Sequence, residues 1–275
     1  MALIPPAYFD CVAAIGVRKQ AESTRWVATG FLYGKVHQQL TGGKKVYKTY
    51  LVTNRHVASQ LTDAVLRFNP KEDAPAREFY APFSDPEGKP FWRCPRDPSI
   101  DVAVIPLNVQ RLSEEGIAVA VFDSDDHCAQ RSRMKELGVS EGDFVYVLGF
   151  PFGDVGGYRN HVVARSGSIA RVGDSLSGSR PDFLLDALTF PGNSGGPVIS
   201  RPELGTIPGT KALNRALLIG VIAGSISYVD EAVSTQTNRT RVTFEDNSGL
   251  STAFPVDYIE EAIAAHLATV VQDTP

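Results

Sequence analysis

The chain is poor in cysteine, with only Cys11, Cys94 and Cys128 among 275 residues. An odd, widely spaced set without a CxxC pair builds neither a disulfide framework nor a zinc site. Free thiols in a reducing compartment are the expectation. Long apolar runs are missing too: no segment approaches the roughly 18–20 residues that a membrane span requires. The apolar stretch 7–17 is broken by Asp10, bounded by Pro5-Pro6 and preceded by no basic segment, so it does not read as a signal peptide. The location expected from these absences is cytoplasmic, with no membrane partner. An excess of one charge sign is also lacking. Lys and Arg number 27 against 31 Asp and Glu, a formal net charge of −4, which offers no attraction for nucleic acid. No cofactor or metal is expected.

What is present is an ordinary globular composition, 43% hydrophobic and 21% charged, punctuated by 24 Gly and 18 Pro. At about 150 residues per domain the length suits two units or one large all-β unit. Short β-branched and aromatic runs recur at 11–17, 26–33, 48–53, 64–68, 102–107, 144–148, 161–164, 183–185, 197–200, 216–222 and 241–244. Many short strands with Gly-rich turns predict a sandwich or barrel, and the strand–helix alternation of a parallel sheet is missing. Helical patterning is convincing only at about 255–271. There Pro255 stands at the start and Asp257, Glu260 and Glu261 lie early, while Ile259, Ile263, Leu267 and Val270 share one face. This helix is expected to pack on the second half of the chain. The polar stretch 36–47 reads as a hairpin tip, 69–99 as an excursion, 108–142 as the crossover and 228–249 as a polar insertion.

The segment Phe190-Pro191-Gly192-Asn193-Ser194-Gly195-Gly196-Pro197-Val198 carries the chemistry. A serine set among glycines ahead of an apolar strand is sterically open, and its neighbours can turn backbone N–H groups toward one point. A hydroxyl needs a base to act as a nucleophile. Of five histidines, His56 directly follows the apolar run Tyr50-Leu51-Val52, which holds it rigidly. His37 and His127 sit in polar surroundings, His266 falls on the terminal helix, and His161 has no evident role. A base needs an orienting carboxylate, and Asp101 heads the apolar run Val102-Ala103-Val104-Ile105.

The order His56…Asp101…Ser194, with the segments Thr53-Asn54-Arg55-His56-Val57-Ala58, Asp101-Val102-Ala103-Val104 and GNSGGP, resembles chymotrypsin-fold, trypsin-like serine proteases. It is most similar to HtrA-type and related bacterial trypsin-like peptidases. Further matches are Gly149-Phe150-Pro151-Phe152-Gly153, Asp186-Ala187, Gly220-Val221-Ile222 and Ala253-Phe254-Pro255. The resemblance implies two six-stranded antiparallel β-barrels, at 1–115 and 116–275, the second ending in the terminal helix at about 255–271. It implies a serine endopeptidase acting on protein or peptide substrates, with His56 as base, Asp101 as its orienter and Ser194 as nucleophile. The oxyanion hole falls on 192–194 (Gly192, Asn193, Ser194), with the N–H groups of Gly192 and Ser194 as donors.

The resemblance also maps the pocket for the residue before the scissile bond onto Leu188, Thr189, Ala223, Gly224 and Ser225. None is charged, and Ile222 stands where a glutamate-reading histidine would be, so a small or medium aliphatic residue is expected. Asn193 replaces the aspartate of digestive relatives and cannot pair with a new N-terminal amine, so regulation would act by ordering 190–193. HtrA-type chains usually continue into a PDZ domain, whereas this sequence stops soon after the helix. Two other readings compete. A non-catalytic or partner-activated binding module would share the fold. Gly192-Asn193-Ser194-Gly195-Gly196 also matches the G-x-S-x-G elbow of α/β-hydrolases, which requires a helix directly after the serine and a histidine further on. Here Pro197-Val198-Ile199 reads as a strand, and His266 is the only later histidine.

Overall fold

The computed structural model describes residues 3–18, 23–203, 205 and 208–272. A one-turn helix α1 (Ala7–Asp10) leads into the first sheet, built from β1 (Val12–Val17), β2 (Arg25–Gln39), β3 (Lys45–Thr53), β4 (Asp63–Phe68), β5 (Arg77–Pro82) and β6 (Ala103–Pro106). Their order is β5-β4-β1-β2-β3-β6, and a short β7 (Phe122–Asp123) joins β2 in parallel. This sheet curls into a half-barrel. The strands β8 (Phe144–Gly149), β9 (Val163–Arg171), β10 (Phe183–Asp186), β11 (Pro197–Ser200), β12 (Leu218–Val233) and β13 (Thr240–Pro255) close a full barrel in the order β10-β13-β12-β11-β8-β9. The molecule is thus mostly β, as the sequence predicts, with a closed second barrel and a first one that curls without a closing ladder among the described residues. β11 begins three residues after Ser194, and all pairings in its barrel are antiparallel. The α/β-hydrolase reading is thereby excluded.

The apolar runs lack polar alternation because both faces of these strands are buried. Successive side chains point to opposite faces. In β1, Val12 and Ala14 enter the core between the sheets, whereas Ala13 and Ile15 enter the core of the half-barrel. β3 does the same with Tyr50 and Val52 on one side and Leu51 on the other. A third core fills the closed barrel with Val145, Val147, Phe183, Leu185 and Ile219.

Five short helices join α6 (Asp257–Gln272): α1, α2 (Arg55–Ser59), α3 (Val109–Glu114), α4 (Arg131–Leu137) and α5 (Gly173–Ser177). At four to seven residues they are too short to carry a readable 3.6-residue pattern. α6 starts two residues after Pro255, because Phe254 and Pro255 still pair with Val221 and Gly220. Ile259, Ala262 and Ile263 are buried between the sheets, and the Val270 side chain lies outside the described residues. The helix does not pack on the second half alone. Glu260 accepts hydrogen bonds from Tyr33 Oη and Lys35 Nζ, each at 2.5 Å, and Glu261 accepts the Arg96 N–H. Burial, with the nearby Cys128 and Glu260, pushes the Tyr33 phenol far above its ordinary range, so it stays a neutral donor. The terminal helix therefore ties both sheets together.

β2 and β3 run further than expected, leaving only 40–44 as the hairpin tip. The polar insertion 228–249 is a continuation of the β12–β13 ladder. No described helix is long and apolar enough to cross a membrane.

The three cysteines are free, with Cys11 and Cys128 buried and Cys94 partly so. Burial pushes the Cys94 thiol up to about 11 and raises Cys11 and Cys128 further. Since the thiolate is the reactive form, folded protein at neutral pH should react slowly with a thiol reagent and take up three equivalents on denaturation. Rapid native labelling of Cys11 or Cys128 would contradict this packing.

Candidate active site

The β3–β6 ladder closes the 45-residue gap between His56 and Asp101. Its last pair is Thr53 with Ala103, so residues just past the end of β3 face those just ahead of β6. Asn54 is extended and α2 begins at Arg55, placing His56 in the first turn of a helix, not at the end of the strand as expected. Asp101 Oδ1 accepts the His56 backbone N–H at 2.8 Å, and Oδ2 lies 2.6 Å from His56 Nδ1. One carboxylate thus holds both the main chain and the ring. With the ring proton on Nδ1, Nε2 is left as an acceptor. Asn54 leaves its helix uncapped and donates Nδ2 to the Asp101 carbonyl at 2.7 Å.

Ser194 sits on a turn that needs its glycines. Gly192 has φ +101°, and a Cβ there would fall 2.2 Å from the Phe150 carbonyl oxygen. Gly195 has φ +85°, with Thr29 O 2.3 Å from its own would-be Cβ. Asn193 is buried and locks the turn from within: its Oδ1 accepts the Phe190 N–H at 3.0 Å, and its N–H donates to Phe190 O at 2.9 Å. The backbone N–H of Asn193 is therefore spent inside the turn. By contrast, no protein acceptor among the described residues takes the N–H of Gly192 or of Ser194.

Thr29 of β2 clasps this turn from the other sheet. Its Oγ1 donates to Gly192 O at 2.6 Å and accepts the Phe150 N–H at 3.0 Å, while its N–H donates to Ser194 O at 3.0 Å. Thr53 Oγ1 in turn donates to Thr29 O. Sequence reasoning missed Thr29, Thr53 and Asn54. The available signal was a lone threonine inside the apolar run 26–33, since a buried hydroxyl needs partners. Replacing Thr29 by valine strands two buried backbone groups at about 1–3 kcal/mol each. The Thr29→Val protein should melt several degrees lower and hold the Ser194 turn less firmly. An unchanged melting temperature would show the clasp to be dispensable.

His56 and Ser194 face one cleft of 190 Å³, lined also by Val27, Ala28, Pro191 and Gly192. The Ser194 hydroxyl donates to Ala223 O at 3.1 Å, and no His56–Ser194 hydrogen bond occurs among the described residues. The pocket residues divide. Ala223 and Gly224 are half-buried and Ser225 is exposed along β12. Leu188 is exposed, whereas Thr189 is buried with its hydroxyl 2.7 Å from Ser251 Oγ. Thr189 is therefore tied to Ser251 inside the barrel and does not stand at the surface with the other residues expected to form the pocket. The remaining four histidines stand apart: His127 accepts the Asp123 N–H, His266 packs edge-on against Tyr50, and His37 and His161 are exposed.

A family model for the trypsin-like peptidase domain matches residues 28–204, well over half of the chain and inclusive of His56, Asp101 and Ser194. The chain belongs to the trypsin-like peptidase family. No curated protein matches it. Membership makes this domain a trypsin-like peptidase domain.

Proposed function

We propose that this peptidase domain is a serine endopeptidase that cleaves protein or peptide substrates in the cleft between His56 and Ser194. The observation that carries the reading is the convergence there of a carboxylate-held imidazole, an accessible hydroxyl and two backbone N–H groups without acceptors among the described residues. Ser194 Oγ attacks the scissile carbonyl carbon and passes its proton to His56 Nε2. The Gly192 and Ser194 N–H groups hold the developing oxyanion, an arrangement worth about 2.7–4 kcal/mol per donor. The imidazolium, stabilised by Asp101, returns the proton to the leaving amine as the C–N bond breaks, and water then releases the acyl group by the same route.

The Ser194–Ala223 bond adds a substrate-dependent step. A substrate N–H that takes the Ala223 carbonyl displaces the serine hydroxyl from it and frees the hydroxyl to turn to His56. The resting site would thus be primed by backbone pairing, which also accommodates the partner-activated alternative. The uncharged rim formed by Leu188, Ala223, Gly224 and Ser225 fits a small or medium aliphatic residue before the scissile bond. The HtrA-type relationship belongs to this same proposal.

A fluorophosphonate probe, which needs an activated hydroxyl beside an oxyanion hole, should label the protein once, on Ser194. Attachment at another residue, or no attachment with substrate peptide present or absent, would reject the reading.

A further inference from the structure

The first sheet does not close on itself, and the reason lies in its edge residues. β5 and β6 are its two outer strands. Residues 83–93 fold back between them, with the Phe91 N–H on Phe83 O, and Arg93 then exchanges both backbone hydrogen bonds with Val104 of β6 at 2.9 Å. Two residues on, the same edge of β6 presents Pro106, while β5 ends at Pro82. Proline has no N–H for a ladder. Pairing therefore stops, and an opening remains between the two edges. It leads into a cavity of 820 Å³, within the size range of small-molecule sites. Leu66, Phe68, Ile105 and Leu112, all members of the half-barrel core, line it. It shares no residue with the cleft of His56 and Ser194.

The charges around this apolar interior are one-sided. Lys89, Arg93 and Arg111 line it with a single carboxylate, Asp85, whose Oδ1 accepts the Lys89 N–H at 2.7 Å. Arg111 has Glu115 3.5 Å away. Lys89 and Arg93 join no ion pair among the described residues. Arg93 Nη1 donates to the Pro90 and Trp92 carbonyls, which leaves its charge uncompensated. His266 of α6 borders the cavity and also an adjoining hollow that contains Lys48. Burial, with Arg93 and Lys48 nearby, lowers the His266 pKa and keeps the ring neutral at pH 7. Its Nδ1 is buried with no hydrogen-bond partner among the described residues. A hydrocarbon body with one negative head matches this polarity. A peptide strand matches it less well, because it would find no ladder donor at Pro82 or Pro106.

We propose that the open mouth of the half-barrel is a binding site for an acyl-chain carboxylate, with the chain among Leu66, Phe68, Ile105 and Leu112 and the carboxylate beside Lys89, Arg93 and His266. Burial of the chain supplies the affinity, and the unpaired cations select the head. The site stands apart from the catalytic cleft, so the inference holds or fails independently of the endopeptidase reading.

The test is calorimetric titration of the full chain with octanoate, decanoate and dodecanoate, each kept below its micelle-forming concentration. One saturable equivalent should bind, and affinity should rise roughly tenfold for every two carbons as methylenes are buried. Decylammonium and 1-decanol, which lack the negative head, should bind at least tenfold more weakly than decanoate. Lys89→Glu reverses an exposed charge in the lining. It should weaken decanoate at least threefold and leave 1-decanol unchanged. Ala81→Trp puts an indole at a half-buried lining position and should abolish binding of both. If circular dichroism shows that Ala81→Trp does not fold, Lys89→Glu decides the matter. Absence of binding at every chain length, or uptake that never saturates, overturns the site. Equal affinity for decanoate and 1-decanol, or a decanoate affinity that neither variant changes, leaves only adventitious apolar association and overturns it as well. Decanoate displaced by a fluorophosphonate attached to Ser194 lies in the catalytic cleft, and that result also removes the proposal.

Discussion

Ser194→Ala is expected to lower peptide hydrolysis by about 10⁴–10⁶-fold while leaving the fold in place. In the proposed mechanism the catalytic loss is large because Oγ is the atom that bonds to the substrate carbon, and no other hydroxyl among the described residues lines the cleft beside His56. The structural loss is small because Ser194 Oγ makes a single hydrogen bond, to Ala223 O. Removing it costs about 0.5–1.5 kcal/mol, and the turn keeps its Asn193 and Thr29 contacts. Kinetics with a cleavable peptide, alongside a thermal melt, separate the two effects. Activity within tenfold of wild type in a preparation free of contaminating protease would remove Ser194 from the mechanism. A variant that fails to fold would show that the Ala223 contact holds the turn, contrary to the bond count.

Asp101→Asn is expected to reduce kcat by about 10⁴-fold with little change in KM. Asp101 accepts from both the His56 N–H and Nδ1. An amide can accept at only one of these positions. If its oxygen stays on the backbone N–H, its NH₂ meets Nδ1 and forces the ring proton onto Nε2, where it blocks general-base action toward Ser194. If the amide turns over, the main-chain bond is lost and α2 is loosened. Either arrangement also forfeits the negative charge that stabilises the imidazolium. Substrate binding is spared because no predicted pocket residue touches Asp101. A fall in kcat of less than tenfold would indicate that Asp101 serves chiefly as a main-chain anchor for α2. Asn54→Ala, which removes the bond to the Asp101 carbonyl, should lower kcat more modestly and in the same sense.

Different parts of the molecule were legible to different degrees. Strand positions could be read because burial on both faces leaves uninterrupted apolar runs, as in β1 and β3. His56, Asp101 and Ser194 stood out because polar residues beside such runs, or among glycines, need a reason to be there. α2 through α5 were not legible, being too short to show a period. Thr29 was hidden because its partners, Gly192 and Phe150, lie 163 and 121 residues away. The ribbon reads as a polar insertion, with only 241–244 marked as a strand run, because its two strands are exposed on both faces and pair only with each other. That removes the hydrophobic alternation by which strands are usually found.

By itself, the sequence determined a mostly β chain, a terminal helix with a buried face, and three residues whose order points to acyl transfer. The strands and the helix follow from local rules, period and turn chemistry, whereas the acyl-transfer reading of the three residues comes from the resemblance of their order and flanking segments to trypsin-like proteases. Only the tertiary structure decided that the β3–β6 ladder brings Asp101 against His56 and that Thr29 holds the serine turn from the opposite sheet. It alone decided that Asn193 spends its N–H inside the turn and that Ser194 rests on Ala223 O. These are long-range hydrogen bonds, set by strand register and sheet-to-sheet packing, and no spacing along the chain encodes them.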